Sequence, residues 1–279
     1  MKIHKVLNNN VVIVQEDGQE KIVMGKALGF QKKHNDPVDK TGIEKTFVLA
    51  NQESSAFERL VKQIPEEHIQ TAEDIISQAE RELKTSLNGH IHIALADHLA
   101  FAIERQKNGL QIQNRLLPEI RLLYPQEYAI GCWALAHIET CLQVVMPEDE
   151  AGYLALHIHT AKMQHSDMAA TLNVTSMIKE VLEIIEMEFN LRLTAGSISY
   201  QRLLTHLRFA LQRLVGGESL HQMEEELLLM IRSKYVAEFA CAQKIAAHIR
   251  SDYAYEMSEA EAAYIALHLR RICQAKEEF

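Results

Sequence analysis

The hydrophobic rhythm of the chain changes near position 50. Before it, short apolar runs alternate with turn-forming residues. Residues 2–7 and 11–14 flank Asn8-Asn9-Asn10, Asp17-Gly18 precedes Ile22-Val23-Met24, and residues 46–49 follow a polar loop around Asn35-Asp36-Pro37. Runs of this length, bounded by Asn, Asp and Gly, predict strands joined by tight turns. From Glu53 onward the apolar positions fall at helical spacing. Thr71-Ala72-Glu73-Asp74 reads as a helix start feeding Ile75, Ile76, Ala79 and Leu83, and Pro118, Pro125 and Pro147 mark helix boundaries.

Within the helical part the sequence repeats itself. His98-Leu99-Ala100-Phe101-Ala102-Ile103-Glu104-Arg105 returns as His206-Leu207-Arg208-Phe209-Ala210-Leu211-Gln212-Arg213, a shift of 108. Glu150-Ala151-Gly152-Tyr153-Leu154-Ala155-Leu156-His157 returns as Glu261-Ala262-Ala263-Tyr264-Ile265-Ala266-Leu267-His268, a shift of 111. Tyr124 with Glu127-Tyr128 matches Tyr235 with Glu238-Phe239. Near-equal shifts over so long a stretch indicate a duplicated unit of domain size. The polar, small-residue stretch 164–175 is the expected junction, and the second repeat is expected to open with a helix over residues 177–189. The fold class that follows is multidomain α+β: a small antiparallel β-sheet domain and two homologous all-α helical bundles.

Composition narrows the picture little, but charge adds one asymmetry. The net charge is −9, yet residues 1–50 carry eight lysines against six acidic residues, so the small domain is the end suited to a polyanion. No apolar run is long enough to span a bilayer and the N-terminus lacks a signal-peptide core, which predicts a cytoplasmic protein. Cys132, Cys141, Cys241 and Cys273 lack metal-type or redox-type spacing and are expected to be reduced and mostly buried. A sheet of about fifty residues is marginal alone, and an uncovered face or edge could be closed by a second copy, so a homodimer is expected.

Histidine is the side chain most able to change charge near neutral pH, and each repeat holds a matched pair. On a helix His157 lines up with Tyr153 and Glu150, and His268 with Tyr264 and Glu261. His98 and His206 align with Phe101 and Phe209, and less closely with Arg105 and Arg213. Core histidines held by one hydrogen bond would give the same pattern, since duplication copies packing residues as well as functional ones. No metal site is expected: the alternating pairs His90/His92 and His157/His159 point to different helix faces. In the first fifty residues Lys5, Asn10, Lys26, Phe30, Gln31, Lys32 and Lys33 combine charge, amide edges and an aromatic ring. RNA is bound by such sets, although a solvated lysine face with Phe30 in the core would use the same residues.

The opening through Lys5-Val6-Leu7-Asn8-Asn9-Asn10, then Val23-Met24-Gly25-Lys26, Gly29-Phe30-Gln31-Lys32 and Gly42-Ile43-Glu44-Lys45, resembles the co-antiterminator RNA-binding domain of BglG/SacY-type transcriptional antiterminators. The two repeats resemble the paired PTS regulation domains (PRDs) of the same family. The resemblance implies an RNA-binding domain over 1–55, a first PRD over 64–168 and a second over 172–279. It implies a four-stranded sheet that binds a leader mRNA hairpin as a homodimer, with contacts from Lys5, Asn10, Gly25, Lys26, Phe30, Gln31 and Lys32. It further implies phosphorylation of His98, His157, His206 and His268 by the phosphotransferase system, through HPr and a sugar-specific EII transporter component. A β-glucoside is the expected inducer. Relatives often carry Arg where this chain has Lys26, which keeps the charge but loses the planar fork.

On this reading the protein is a regulator with no catalytic site and no cofactor. Two other classes compete. A PRD regulator acting through DNA or protein would want a helix-turn-helix before Glu53, which is absent. A helical metal phosphohydrolase would want a His-Asp dyad, whereas the chain has Asp97-His98 in the first repeat only.

Overall fold

A computed structural model describes every residue other than positions 8, 17–18, 26, 44, 49–62, 111, 164–166, 195–196, 219–222 and 278–279. The expected Asp17-Gly18 turn therefore lies outside the described residues. The N-terminal segment is a four-stranded antiparallel sheet in the order β1 (Lys2–Val6), β2 (Val11–Glu16), β3 (Gln19–Met24) and β4 (Lys45–Val48). Its register is tight from Val11↔Met24 to Glu16↔Gln19, and β1 shifts by one residue between Ile3 and Lys5. Such a bulge re-aims the side chains beside it, here at Lys5.

The sheet is buried on both faces, which is why β2 reads Val11-Val12-Ile13-Val14 without alternation. Val12, Val14, Ile3 and Val23 face Leu28 and Val38 from the segment between β3 and β4. Leu7, Val11, Ile13, Ile22 and Met24 form a cluster continuous with Ile64, Ile69 and Ile75 of the helical part. The open face that motivated a dimer from sequence is thus already covered within one chain, with Val11, Ile13 and Ile22 almost wholly buried.

Ten α-helices follow among the described residues: α1 (Glu66–Leu83), α2 (Ile91–Lys107), α3 (Leu117–Leu123), α4 (Pro125–Leu142), α5 (Glu148–Lys162), α6 (Met168–Glu188), α7 (Ile198–Val215), α8 (Glu225–Lys234), α9 (Val236–Tyr253) and α10 (Glu259–Glu277). They read as five and five, in step with the repeat. Pro118, Pro125 and Pro147 do sit at helix starts. Thr71 does not. The first described helix begins at Glu66 after Pro65, and Thr71 lies inside it, its hydroxyl returned to the Glu67 carbonyl at 2.8 Å. The junction between repeats is also shorter than expected. Asp167 caps α6 by accepting the Ala170 N–H at 2.7 Å, so the polar residues 168–175 are its first two turns. Thr171 and Thr175 are buried there.

The chain forms two compact units, residues 1–114 with 126–164 and residues 115–125 with 165–279. Helix α3, first-repeat by sequence, therefore belongs with the second unit, where it packs on α6. The buried Tyr124 meets Thr175 at 3.3 Å, and Arg208 donates to the Leu123 carbonyl at 3.3 Å. The cysteines depart from expectation: Cys241 is buried, Cys273 is intermediate, and Cys132 and Cys141 are exposed. No described helix is long and apolar enough to cross a membrane.

Candidate functional site

In the first unit α2 and α5 bring the two histidines of repeat one together. The rings of His98 and His157 lie 4.8 Å apart, with Tyr153 at 6.1 Å from His98. Helix periodicity placed Glu150 on the His157 face, but its hydrogen bond crosses to the other histidine. Glu150 Oε2 accepts from His98 Nε2 at 3.1 Å, and Oε1 accepts from the Arg105 guanidinium. That carboxylate is 2 % exposed, whereas the His98 side chain retains 16 %. Glu150 stands in the first turn of α5, where the helix dipole favours a negative charge. Burial, helped by His98, pushes the His157 imidazole down to about 3, so it is neutral at neutral pH. Phe101 is exposed and stacks under the Arg105 guanidinium at 5.6 Å.

The second unit repeats the arrangement more loosely. His206 and His268 are 5.0 Å apart with Tyr264 at 5.9 Å from His206. His206 Nε2 lies 3.4 Å from Glu261 Oε2 without the alignment of a hydrogen bond, and Arg213 donates to Glu261 Oε1 at 3.3 Å. Burial, with His206, Arg271 and Arg202 adding, lowers His268 to about 4. All four histidines singled out by sequence thus fall into two matched clusters, each with a buried glutamate between a histidine and an arginine.

His92 and His159 serve packing. His92 binds Glu73 at 2.6 Å in the interior, and His159 binds Glu127 at 3.2 Å beside Lys162. In the second repeat Arg270 replaces His159 and pairs with Glu238 at 3.4 Å, which marks a cation on that carboxylate as a feature of the fold.

The expected nucleic-acid residues gather around the segment after β3. Asn10 Oδ1 accepts the Ala27 N–H at 2.7 Å, while backbone bonds tie Gly25 N to the Asn10 carbonyl and Gly29 N to the Asn9 carbonyl. Asn10 therefore shapes the loop that presents its neighbours. Gly25 is buried, and a Cβ there would run into the Gly42 carbonyl, so its role is close backbone approach. Phe30 is 54 % exposed, the opposite of a core ring, and Gln31 and Lys32 are exposed beside it. Gln31 holds φ at +54°, a left-handed geometry that turns its side chain outward from the loop. Lys5 is half-buried at the β1 bulge. Lys26 lies outside the described residues.

Comparison with known proteins identifies the domains that carry these residues. The CAT RNA binding domain model matches residues 1–56, and the PRD domain model matches residues 73–161 and 179–272. The chain is 40 % identical over 98 % of its length to transcription antiterminator LicT of Bacillus subtilis (strain 168), covering 99 % of that protein. It is 39 % identical over its full length to the β-glucoside operon antiterminator of Dickeya chrysanthemi, covering 99 % of that protein. The crystal structure of GlcT CAT-PRDI matches with a TM-score of 0.54 and 39 % identity over 58 % of this chain and 98 % of that one. A basic loop with exposed Phe30, two histidine clusters in register with a duplication, and relatives matched end to end lead to one conclusion: this chain belongs to the family of transcription antiterminators built from a CAT RNA-binding domain and two PRD domains.

Proposed function

We propose that the protein is a sugar-responsive antiterminator of a β-glucoside operon, a cytoplasmic regulator that binds a leader-mRNA hairpin as a homodimer. Its modules are residues 1–55, 64–168 and 172–279. The observation that carries this reading is the exposed Phe30-Gln31-Lys32 edge on a loop built by Asn10 and Gly25. An aromatic face stacks a base, an amide reads a base edge, and a lysine meets phosphate.

Control comes from phosphorylation of His98, His157, His206 and His268 by HPr and a sugar-specific EII component. The geometry supports distinct roles within each pair. His157 and His268 stay neutral, as a nucleophilic imidazole must. Glu150 accepts a hydrogen bond from the Nε2–H of His98, which leaves the lone pair of that ring on Nδ1. A phosphoryl group brings almost two negative charges beside a buried glutamate. The new charge repels Glu150 or Glu261 and competes for Arg105 or Arg213, which biases the packing of α2 on α5 and of α7 on α10.

The test is a gel shift of the full chain against the leader RNA of its own operon, with the matching DNA duplex as control. RNA-only binding that a Lys5→Ala, Phe30→Ala double variant loses is the expected result. A folded chain that ignores the RNA overturns the reading.

A further inference from the structure

One cluster lies apart from the histidine pairs and the RNA loop. On α4, Trp133, His137 and Cys141 follow one another at i, i+4 and i+8 and so share a face. Asp74 reaches them from α1. Its Oδ2 lies 3.0 Å from His137 Nε2, and its Oδ1 is steadied by Gln70 at 3.2 Å. Cys141 Sγ lies 3.6 Å from the same Nε2 and 3.9 Å from Nδ1. The three ligand atoms fall within 4.8 Å of one another. We propose that Asp74, His137 and Cys141 form a site for a borderline-soft divalent cation of the zinc type, which ties α1 to α4.

Three observations carry it. The first is geometric. Zinc bonds of about 2.3 Å to sulfur and about 2.05 Å to nitrogen, set at a tetrahedral angle, separate the two ligand atoms by about 3.6 Å. That is the Sγ–Nε2 separation found here, but Sγ is also 3.9 Å from Nδ1 and so lies beside the ring, and the Cys141 side chain turns toward the Nε2 lone pair to meet the ion. The oxygen is closer than a zinc-bound pair requires, as expected of a direct hydrogen bond that the cation would open by a few tenths of an ångström. The second is access. Cys141 is exposed and His137 and Asp74 are partly so, which leaves a fourth position for water.

The third is the contrast with the other repeat. His248 occupies the place of His137 and binds Glu180 through Nε2 at 2.8 Å, so a carboxylate–histidine pair between these helices is inherited packing. Asp252 stands where Cys141 does, but it faces Nδ1 at 3.6 Å, on the other side of the ring. Repeat one instead supplies a thiol, slightly nearer Nε2 than Nδ1, beside the nitrogen that meets the carboxylate. A thiolate, an imidazole and a carboxylate suit zinc over magnesium or calcium. Binding expels the thiol proton of Cys141 and leaves the ring proton of His137 on Nδ1 while Nε2 takes the ion, and no oxidant or reductant is needed.

The experiment uses the tag-free full chain, stripped by chelator. Titration with Co²⁺ should give a sulfur-to-cobalt charge-transfer band at one ion per chain. It should also quench Trp133, the single tryptophan, which stacks on His137 at 4.9 Å. Zn²⁺ should displace the cobalt and raise the urea midpoint. Cys141→Ser should abolish the band and weaken zinc more than about 100-fold, beyond the effect of losing an outer-shell partner. Cys132→Ser, also at an exposed thiol, should leave both unchanged. A band that survives Cys141→Ser, or Trp133 emission indifferent to cobalt, overturns the proposal. None of these readouts involves RNA or phosphate, so the result is independent of the antiterminator reading.

Discussion

Glu150 accepts from His98 and from Arg105 at once, one oxygen to each, inside a carboxylate that is 2 % exposed. Removing its charge leaves a largely buried guanidinium facing a neutral amide. Breaking one side of a buried pair costs about 3–5 kcal/mol in general, and Gln retains one acceptor oxygen, so Glu150→Gln is expected to cost about 2–3 kcal/mol. Glu261→Gln should cost less, near 1–2 kcal/mol, because its contacts are 3.3–3.4 Å and Arg213 is more exposed. Urea midpoints at constant m-value measure both. Equal losses would contradict the looser geometry of the second cluster.

The histidine pairs also set a pH dependence. His157 and His268 have folded values near 3 and 4, below the unfolded value near 6.5. Between these limits the unfolded chain binds more protons, so their stability is fully present above about pH 6.5 and is lost as pH falls toward 4 and 3. Burial would raise Glu127, but the His159 bond and Lys162 hold it at about 2, and its contribution disappears only below about pH 4.5. Denaturant midpoints should therefore decline between pH 6.5 and 4.5 from the histidines alone. His157→Gln should flatten that limb; an unchanged slope would assign the decline elsewhere.

Phe30 and Asn10 should separate RNA contact from loop construction. Phe30 is exposed, so Phe30→Ala should leave stability within about 0.5 kcal/mol and weaken RNA by the ~1–3 kcal/mol of a stacked base. Asn10→Ala removes the acceptor of the Ala27 N–H and should cost about 1 kcal/mol of stability besides RNA affinity. Paired gel shifts and denaturation curves read both. A Phe30→Ala chain that binds RNA as well as wild type would remove the ring from the interface.

What the sequence made legible follows from periodicity and duplication. The strands and the helix-start prolines were readable because each depends on local residues. The matched histidines were readable because the duplication copied them. Partners across helices were not. Glu150 lay on the correct face for His157, yet α5 packs so that it bonds to His98. The Asp74–His137 contact was not legible because the two residues are 63 positions apart. His137 and Cys141 share a helix face at i, i+4, unlike the alternating pairs His90/His92 and His157/His159. The Thr71 start and the long junction failed for one reason: polar threonines sit inside α1 and α6, where their hydroxyls bond back to carbonyls of the preceding turn.

Gly131 provides the last test, because two effects oppose there and their sizes decide the sign. It lies on α4 where a Cβ would strike the Ala151 carbonyl of α5, and the second repeat carries Ala242 at the matching position. Helix propensity favours Gly131→Ala by about 1 kcal/mol. Overpacking against a backbone atom, which lacks the freedom of a side-chain tip, costs about 1–3 kcal/mol. The net expectation is a loss near 1 kcal/mol, and the strain is specific to repeat one. Ala151 follows Glu150 directly, so displacing α5 should also lengthen the Glu150–His98 bond. His98 would then lose part of its carboxylate's hold, and the ¹H–¹⁵N resonances of its ring should shift from those of wild type. Unchanged stability together with unchanged His98 ring resonances would mean that α4 and α5 can separate without disturbing the cluster.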